Sequence, residues 1–144
     1  MNENFTLKVL DSADSMMVTF DVLSEVYTKI TPESYREMLQ DMIPNNYKQL
    51  AVFDGEKCIG VNGFWINTKI WCGKYLELDN IAVLESHRSQ GIGKLMFDFL
   101  EKIAKETKCD AMMLDAYTQN FKAHKLYYNL GFEPRGFHFI KHLS

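Results

Sequence analysis

One segment, Ile81-Ala82-Val83-Leu84-Glu85-Ser86-His87-Arg88-Ser89-Gln90-Gly91-Ile92-Gly93-Lys94, limits the possible folds more than any other. An apolar run with strand character passes through a short polar loop into a helix whose first residues include two glycines. Ile92, Leu95, Met96, Phe99, Leu100, Ile103 and Ala104 recur on one side of that helix, which the spacing predicts over residues 91–105. Residues 111–117 follow as another strand. The helix is then the crossover of a βαβ unit, the only one the pattern contains.

The other elements are mostly antiparallel in style. Phe5 to Leu10 alternates apolar and polar side chains, a first strand. Ala13, Met16, Met17, Phe20, Leu23 and Tyr27 recur at three- and four-residue steps, one face of a helix. Thr31-Pro32 opens a second helix, with Tyr35, Met38, Leu39 and Met42 as its buried stripe and Pro44 as its stop. Strands at 49–53 and 57–67 flank the hairpin signal Asp54-Gly55. The strand at 75–84 carries two acids, Glu77 and Asp79, among apolar residues. A last helix at 119–130 is capped by Gly131, and residues 132–143 are expected to return to the sheet. The pattern predicts a mixed α/β fold with a mostly antiparallel central sheet and flanking helices, one domain over residues 1–144.

Length and charge remove several classes of function. A chain of 144 residues with no repeat, linker or low-complexity stretch suits a single domain. Its net charge of −3 shows neither the basic excess nor the basic stripe of a nucleic-acid binder. No stretch approaches the ~20 apolar residues of a membrane helix, and Met1 to Asn4 does not read as a signal peptide. Cys58, Cys72 and Cys109 are odd in number and widely spaced, so they read as reduced cytoplasmic thiols. His138 and His142 lie in a predicted strand, roughly 13 Å apart, too far to share a metal. His87 and His124 read as solvent-facing, and Trp65 and Trp71 as core, rim or the wall of an acceptor pocket.

The glycine turn can hold an anion. The first turn of a helix leaves backbone N–H groups without internal partners, and these with the helix dipole suit a phosphate. Gly91 and Gly93 let the backbone approach it, while Arg88 and Lys94 bracket it with positive charge. A Walker loop would need glycine at 88 and a hydroxyl at 95, where Arg88 and Leu95 stand; a dinucleotide fingerprint would need glycine or alanine at 96, which is Met96.

Arg88, Gly91 and Gly93 do match a third pattern, Arg/Gln-x-x-Gly-x-Gly/Ala, and here the chain resembles the GNAT family of N-acetyltransferases. A second segment, Asn120-x-x-Ala123-x-x-Leu126-Tyr127-Tyr128-Asn129-Leu130-Gly131-Phe132, is similar to that family's Asn-x-x-Ala, Leu-Tyr and Gly-Phe pattern. The two motifs stand in the family's order, about thirty residues apart, and the resemblance covers residues 49–132. It implies the acyl-CoA N-acyltransferase fold, acetyl-CoA as co-substrate, no metal, an amine acceptor and, in some members, a homodimer. The loop residues Arg88, Ser89, Gln90, Gly91, Ile92, Gly93 and Lys94 would then grip the pyrophosphate. Main chain at Ile81, Ala82 and Val83 would pair with the pantetheine and polarise the thioester carbonyl. Asn120, Ala123 and Tyr127 would contact the cofactor, with Tyr127 also the proton donor to the departing sulfur and Tyr128 its uninvolved neighbour.

The acceptor sets a demand of known size. An alkylamine with a pKa of ~10.4 is neutral in about one molecule in 2,500 at pH 7, a penalty of roughly 4.6 kcal/mol. A positioned carboxylate can take the proton, directly or through water. Glu77 stands eleven residues before Arg88, where some family members carry a glutamate base, and Asp79 shares its strand face. Asp79, Asp115 and the net charge lean toward a cationic acceptor. Two other functions fit the same residues: a non-catalytic acyl-CoA-binding module, and an α/β interaction domain whose glycines only shape a turn.

Overall fold

Alternation and register account for the centre of the molecule. In the computed structural model, which describes residues 4–144, strands β1 (Phe5–Leu10), β2 (Tyr47–Asp54), β3 (Lys57–Lys69), β4 (Gly73–Val83) and β5 (Ala111–Leu114) form one sheet in chain order. The first three junctions are antiparallel and β4–β5 is parallel, as the single crossover requires. Asp54 pairs with Lys57, so the β2–β3 turn is Gly55-Glu56, and Gly55 supplies the left-handed φ of +62°.

Helices cover both faces. Helix α1 (Ala13–Met16) and helix α3 (Pro32–Met42) each open on a reciprocal cap, Ser12 with Ser15 and Thr31 with Ser34. With the short α2 (Phe20–Ser24) they lie on the Tyr47 and Gln49 face of the sheet, where Tyr35 and Thr19 bond Gln49. Helix α4 (Ile92–Glu106) and helix α5 (Phe121–Asn129) complete the set. The start of α4 presses so closely on β3 that a Cβ at Gly60 would lie 3.3 Å from Ile92 Cγ2. Leu50, Ile59, Leu76, Met96 and Leu100 are wholly buried between these layers, each contributing about 1.5–3 kcal/mol of burial.

Four expectations need correction. The helix predicted from Ala13 to Tyr27 is interrupted by a 3-10 turn at Met17–Thr19, where the Thr19 hydroxyl approaches Met16 O at 2.8 Å and enters a buried polar cluster. Met38, assigned to the α3 stripe, is 43% exposed, because Tyr35, Leu39 and Met42 make that contact. The strand predicted to Tyr117 stops at Leu114, since Tyr117 O accepts from Asn120 N and contacts His124 Nε2, turning the chain into α5. Residues 132–143 do not rejoin the sheet. The four-residue β5 gives them a short edge, Pro134 has no N–H to donate, and Phe137, Phe139, Ile140 and Leu143 remain in solvent.

Candidate functional site

A bulge in β4 opens the site. Asn62 of β3 faces Ile81 while the next residue, Gly63, faces Asp79, so Asn80 is the extra residue, and its φ is +52°. Pairing between β4 and β5 runs only from Tyr75–Ala111 to Leu78–Leu114. Past the bulge, β4 is bonded to β3 alone. Leu84 N–H donates to Ile59 O at 2.9 Å, which sets the phase of the ladder. By alternation Ala82 turns its main-chain groups toward β3, and Ile81 and Val83 turn theirs toward the open side. The Val83 carbonyl there accepts the Arg88 Nε–H at 3.1 Å.

The open edge leads into the glycine turn. Ser89 and Gly91 are both left-handed, at φ +63° and +78°, and Gly91 is the N-cap of α4. The first α4 amide with a main-chain acceptor is Leu95 N–H, to Gly91 O. Those from Ser89 to Lys94 donate to no acceptor among the described residues. A Cβ built on Gly91 or Gly93 would meet nothing within 4 Å, so the approach to these amides is open. This cup offers what a diphosphate needs: main-chain donors without internal acceptors, the positive end of a fifteen-residue helix and open space at Gly91 and Gly93. Of the two flanking cations, Arg88 also leans on Glu25 at 3.6 Å, and Lys94 pairs with Asp98 at 2.7 Å.

On the helix α1–α3 face, register sets Tyr47, Trp65, Glu77 and Met113 in one row across four strands, with Asp79 beside Gly63 in the next. Asp79 has both oxygens engaged: Oδ2 accepts from Trp65 Nε1 at 3.0 Å and Oδ1 from its neighbour's Asn80 N–H at 2.9 Å. Glu77 is half-buried and has no hydrogen-bond partner among the described residues. Burial first, and then the nearby Asp115 charge, push its carboxyl above the usual glutamate range, against an opposing pull from Lys69. A proton acceptor is improved by that shift.

The full sequence of residues 17–132 matches the acetyltransferase (GNAT) family. The chain belongs to the GNAT family. It is 33% identical over 111 residues to the uncharacterized N-acetyltransferase YjcF of Bacillus subtilis, covering 77% of this chain and 75% of that one. Among solved structures, an aminoglycoside acetyltransferase from an uncultured soil metagenomic sample, in complex with trehalose, superposes with a TM-score of 0.83 at 17% identity, over 99% of each chain. An aminoglycoside N-acetyltransferase in complex with CoA gives 0.80 at 14% identity, over 100% of this chain and 99% of that one. These two share the GNAT fold.

Within this GNAT chain the second motif sits on α5. Tyr127 packs its ring 6.1 Å from Phe97 and 6.2 Å from Phe132, and its hydroxyl meets no partner among the described residues. Burial raises its pKa, so the phenol keeps its proton at neutral pH. Asn120 is the N-cap of α5 and spends its carbonyl on Ala123 N–H at 3.3 Å, leaving its amide N–H groups available. Tyr128 is 60% exposed on another side of the helix. His87 is tied back to Asp54 at 3.0 Å rather than facing solvent, and His138 reaches Asp115 at 3.2 Å. Among the described residues no cluster of three or more metal-binding side chains occurs. Burial lifts the Cys58 thiol to about 11, far from thiolate chemistry.

Sequence reasoning missed the structures that shape the bulge: Tyr47, Asn80 and the bare Gly63 between them. Gly63 was the available signal, a glycine in the interior of a predicted strand, which marks a close approach or a bulge.

Proposed function

We propose that the chain, acting as a single domain over residues 1–144, transfers the acetyl group of acetyl-CoA directly to a primary amine. The observation that carries this reading is the continuity of the open β4 edge at Ile81–Val83 with the amide cup at 89–94. One diphosphate-tailed amide chain would satisfy both. The cup holds the pyrophosphate, with Arg88 as the adjacent cation. The outward N–H and C=O groups of Ile81 and Val83 pair with the pantetheine as a strand would, and an outward N–H receives the negative charge that develops on the thioester oxygen. Such a donor is worth about 3 kcal/mol in a barrier.

Two side chains manage the protons. Glu77, half-buried and unbonded, takes the proton of the ammonium directly or through a water, so that the amine lone pair attacks the carbonyl carbon. As the C–N bond forms and the C–S bond breaks, the Tyr127 hydroxyl gives its proton to the departing sulfur. The second proton shed by the amide nitrogen returns the phenolate to phenol through water, and Glu77 releases its proton to solvent. Asp79, held by Trp65 and its own turn, contributes charge near the acceptor rather than proton transfer. Together with Asp115 it favours a cationic acceptor. Three free cysteines fit a reducing, cytoplasmic setting, and no described helix is long and apolar enough to cross a membrane.

The test is free-thiol release from acetyl-CoA with a panel of amino sugars, polyamines and peptide amines. Wild-type protein is expected to turn over at least one. Tyr127→Phe should lower kcat about 100-fold while leaving CoA affinity within about twofold. CoA binding without turnover on any amine would instead support the binding module.

A further inference from the structure

Six polar side chains from five segments form a single directed chain of hydrogen bonds beneath the site. Thr19, Tyr35, Tyr47 and Gln49 are buried, Gln49 and Thr19 completely. Gln49 Nε2 donates to Tyr35 Oη at 2.7 Å, Tyr35 Oη lies 2.7 Å from Thr19 Oγ1, and Thr19 Oγ1 donates back to Gln49 Oε1 at 2.9 Å. This ring holds the Gln49 amide in one orientation, and its second N–H donates to Tyr47 Oη at 3.1 Å. With that acceptor role filled, Tyr47 donates its own proton to Asn80 Oδ1 at 2.9 Å, and Asn80 Nδ2 donates to Tyr27 Oη at 3.2 Å. The chain of donors therefore passes through the bulge residue and ends on Tyr27. A Cβ at Gly63 would lie 2.3 Å from Tyr47 Oη and 2.9 Å from Asn80 Oδ1, so the strand is kept bare where this bond passes.

We propose that Tyr47 is a positioning residue for acetyl transfer: its hydroxyl holds the left-handed Asn80, and so fixes the direction of the Ile81 and Val83 main-chain groups and of the Asp79 carboxylate. The role in transfer rests on the function proposed above; the tie between Tyr47 and the bulge does not. A non-glycine residue at φ +52° is rare and must be held by its surroundings. The Asn80 main chain also donates to Asp79, so a bulge that relaxed would move the acceptor side and the open edge together.

Tyr47→Phe removes only the hydroxyl, and Asn80→Gly keeps the backbone conformation accessible while removing the tethered side chain. Each is expected to lower kcat about tenfold, with KM for acetyl-CoA within about twofold. The double variant should be no slower than the worse single one, because both cut the same link. Hydrogen–deuterium exchange of the bonded amides within 80–83, Asn80 and Ala82, should accelerate in both singles, at a temperature where α4 and the β2–β3 pairing exchange as in wild type. Wild-type kcat in either variant, multiplied losses in the double, or unchanged exchange at 80–83 would overturn the assignment. Should the wild type bind CoA and acetylate no amine, the proposed function fails, and the exchange measurement alone still decides whether Tyr47 holds the bulge.

Discussion

The two halves of β4 put different parts of the chain to use. Up to Leu78 the strand is bonded on both sides, and what it offers is a side chain, Glu77, tuned by burial and by Asp115. Beyond Asn80 it is bonded on one side, and what it offers is main chain. The first half responds to single-atom changes and to pH. The second should be indifferent to its own side chains and sensitive only to what bends the backbone.

Removing the Glu77 carboxylate should have the largest effect. Glu77→Gln is expected to lower kcat by about 100-fold or more in the thiol-release assay, with CoA affinity by calorimetry within about twofold. A variant that kept its turnover would move the proton acceptor off this half of the strand. At the cup, Gly91→Val places a β-branched residue at φ +78° and should weaken CoA binding about 10- to 100-fold. Val83→Ile, by contrast, should change it by less than about twofold. Equal losses in these two variants would erase the distinction between backbone and side-chain grip.

The smallest effect is a displaced pH profile. Glu77 has its folded-state pKa raised, so its basic form is lost at a higher pH than for an ordinary glutamate, and the acid limb of kcat/KM should lie accordingly. Asp115→Asn removes a charge that raises that pKa, and the limb should move to lower pH by under about one unit. The linked stability has the opposite dependence. A raised carboxyl stabilises the fold below its unfolded pKa, and that contribution fades as pH rises through the folded value. An upward displacement of the limb in Asp115→Asn would exclude Glu77 as its source.

What could be seen in the sequence was what is local. The cup is written within residues 88–94, because a strand-to-helix turn with two glycines depends on little else. Glu77 and Asp79 were visible for the same reason, two positions apart on one strand. Their different situations were not. Asp79 is engaged by Trp65, fourteen residues earlier, and only the register across the bulge brings them together. The Tyr47–Asn80 bond spans 33 residues and needs a glycine on a third segment to pass. The early termination of β5 likewise came from a side chain, His124, reaching back to Tyr117. The exposed tail at 133–143 keeps an alternating apolar pattern that, read alone, still looks like a strand.

A slot floored by peptide groups leaves natural selection free to rewrite the residues that line it. Each N–H and C=O is supplied by any amino acid but proline, so under the proposed function the grip on acetyl-CoA would survive wide sequence drift. Only the geometry of the turn and bulge is policed. On that proposal a change of acceptor would proceed around Trp65 and the early helices, without the donor ever having to be relearned.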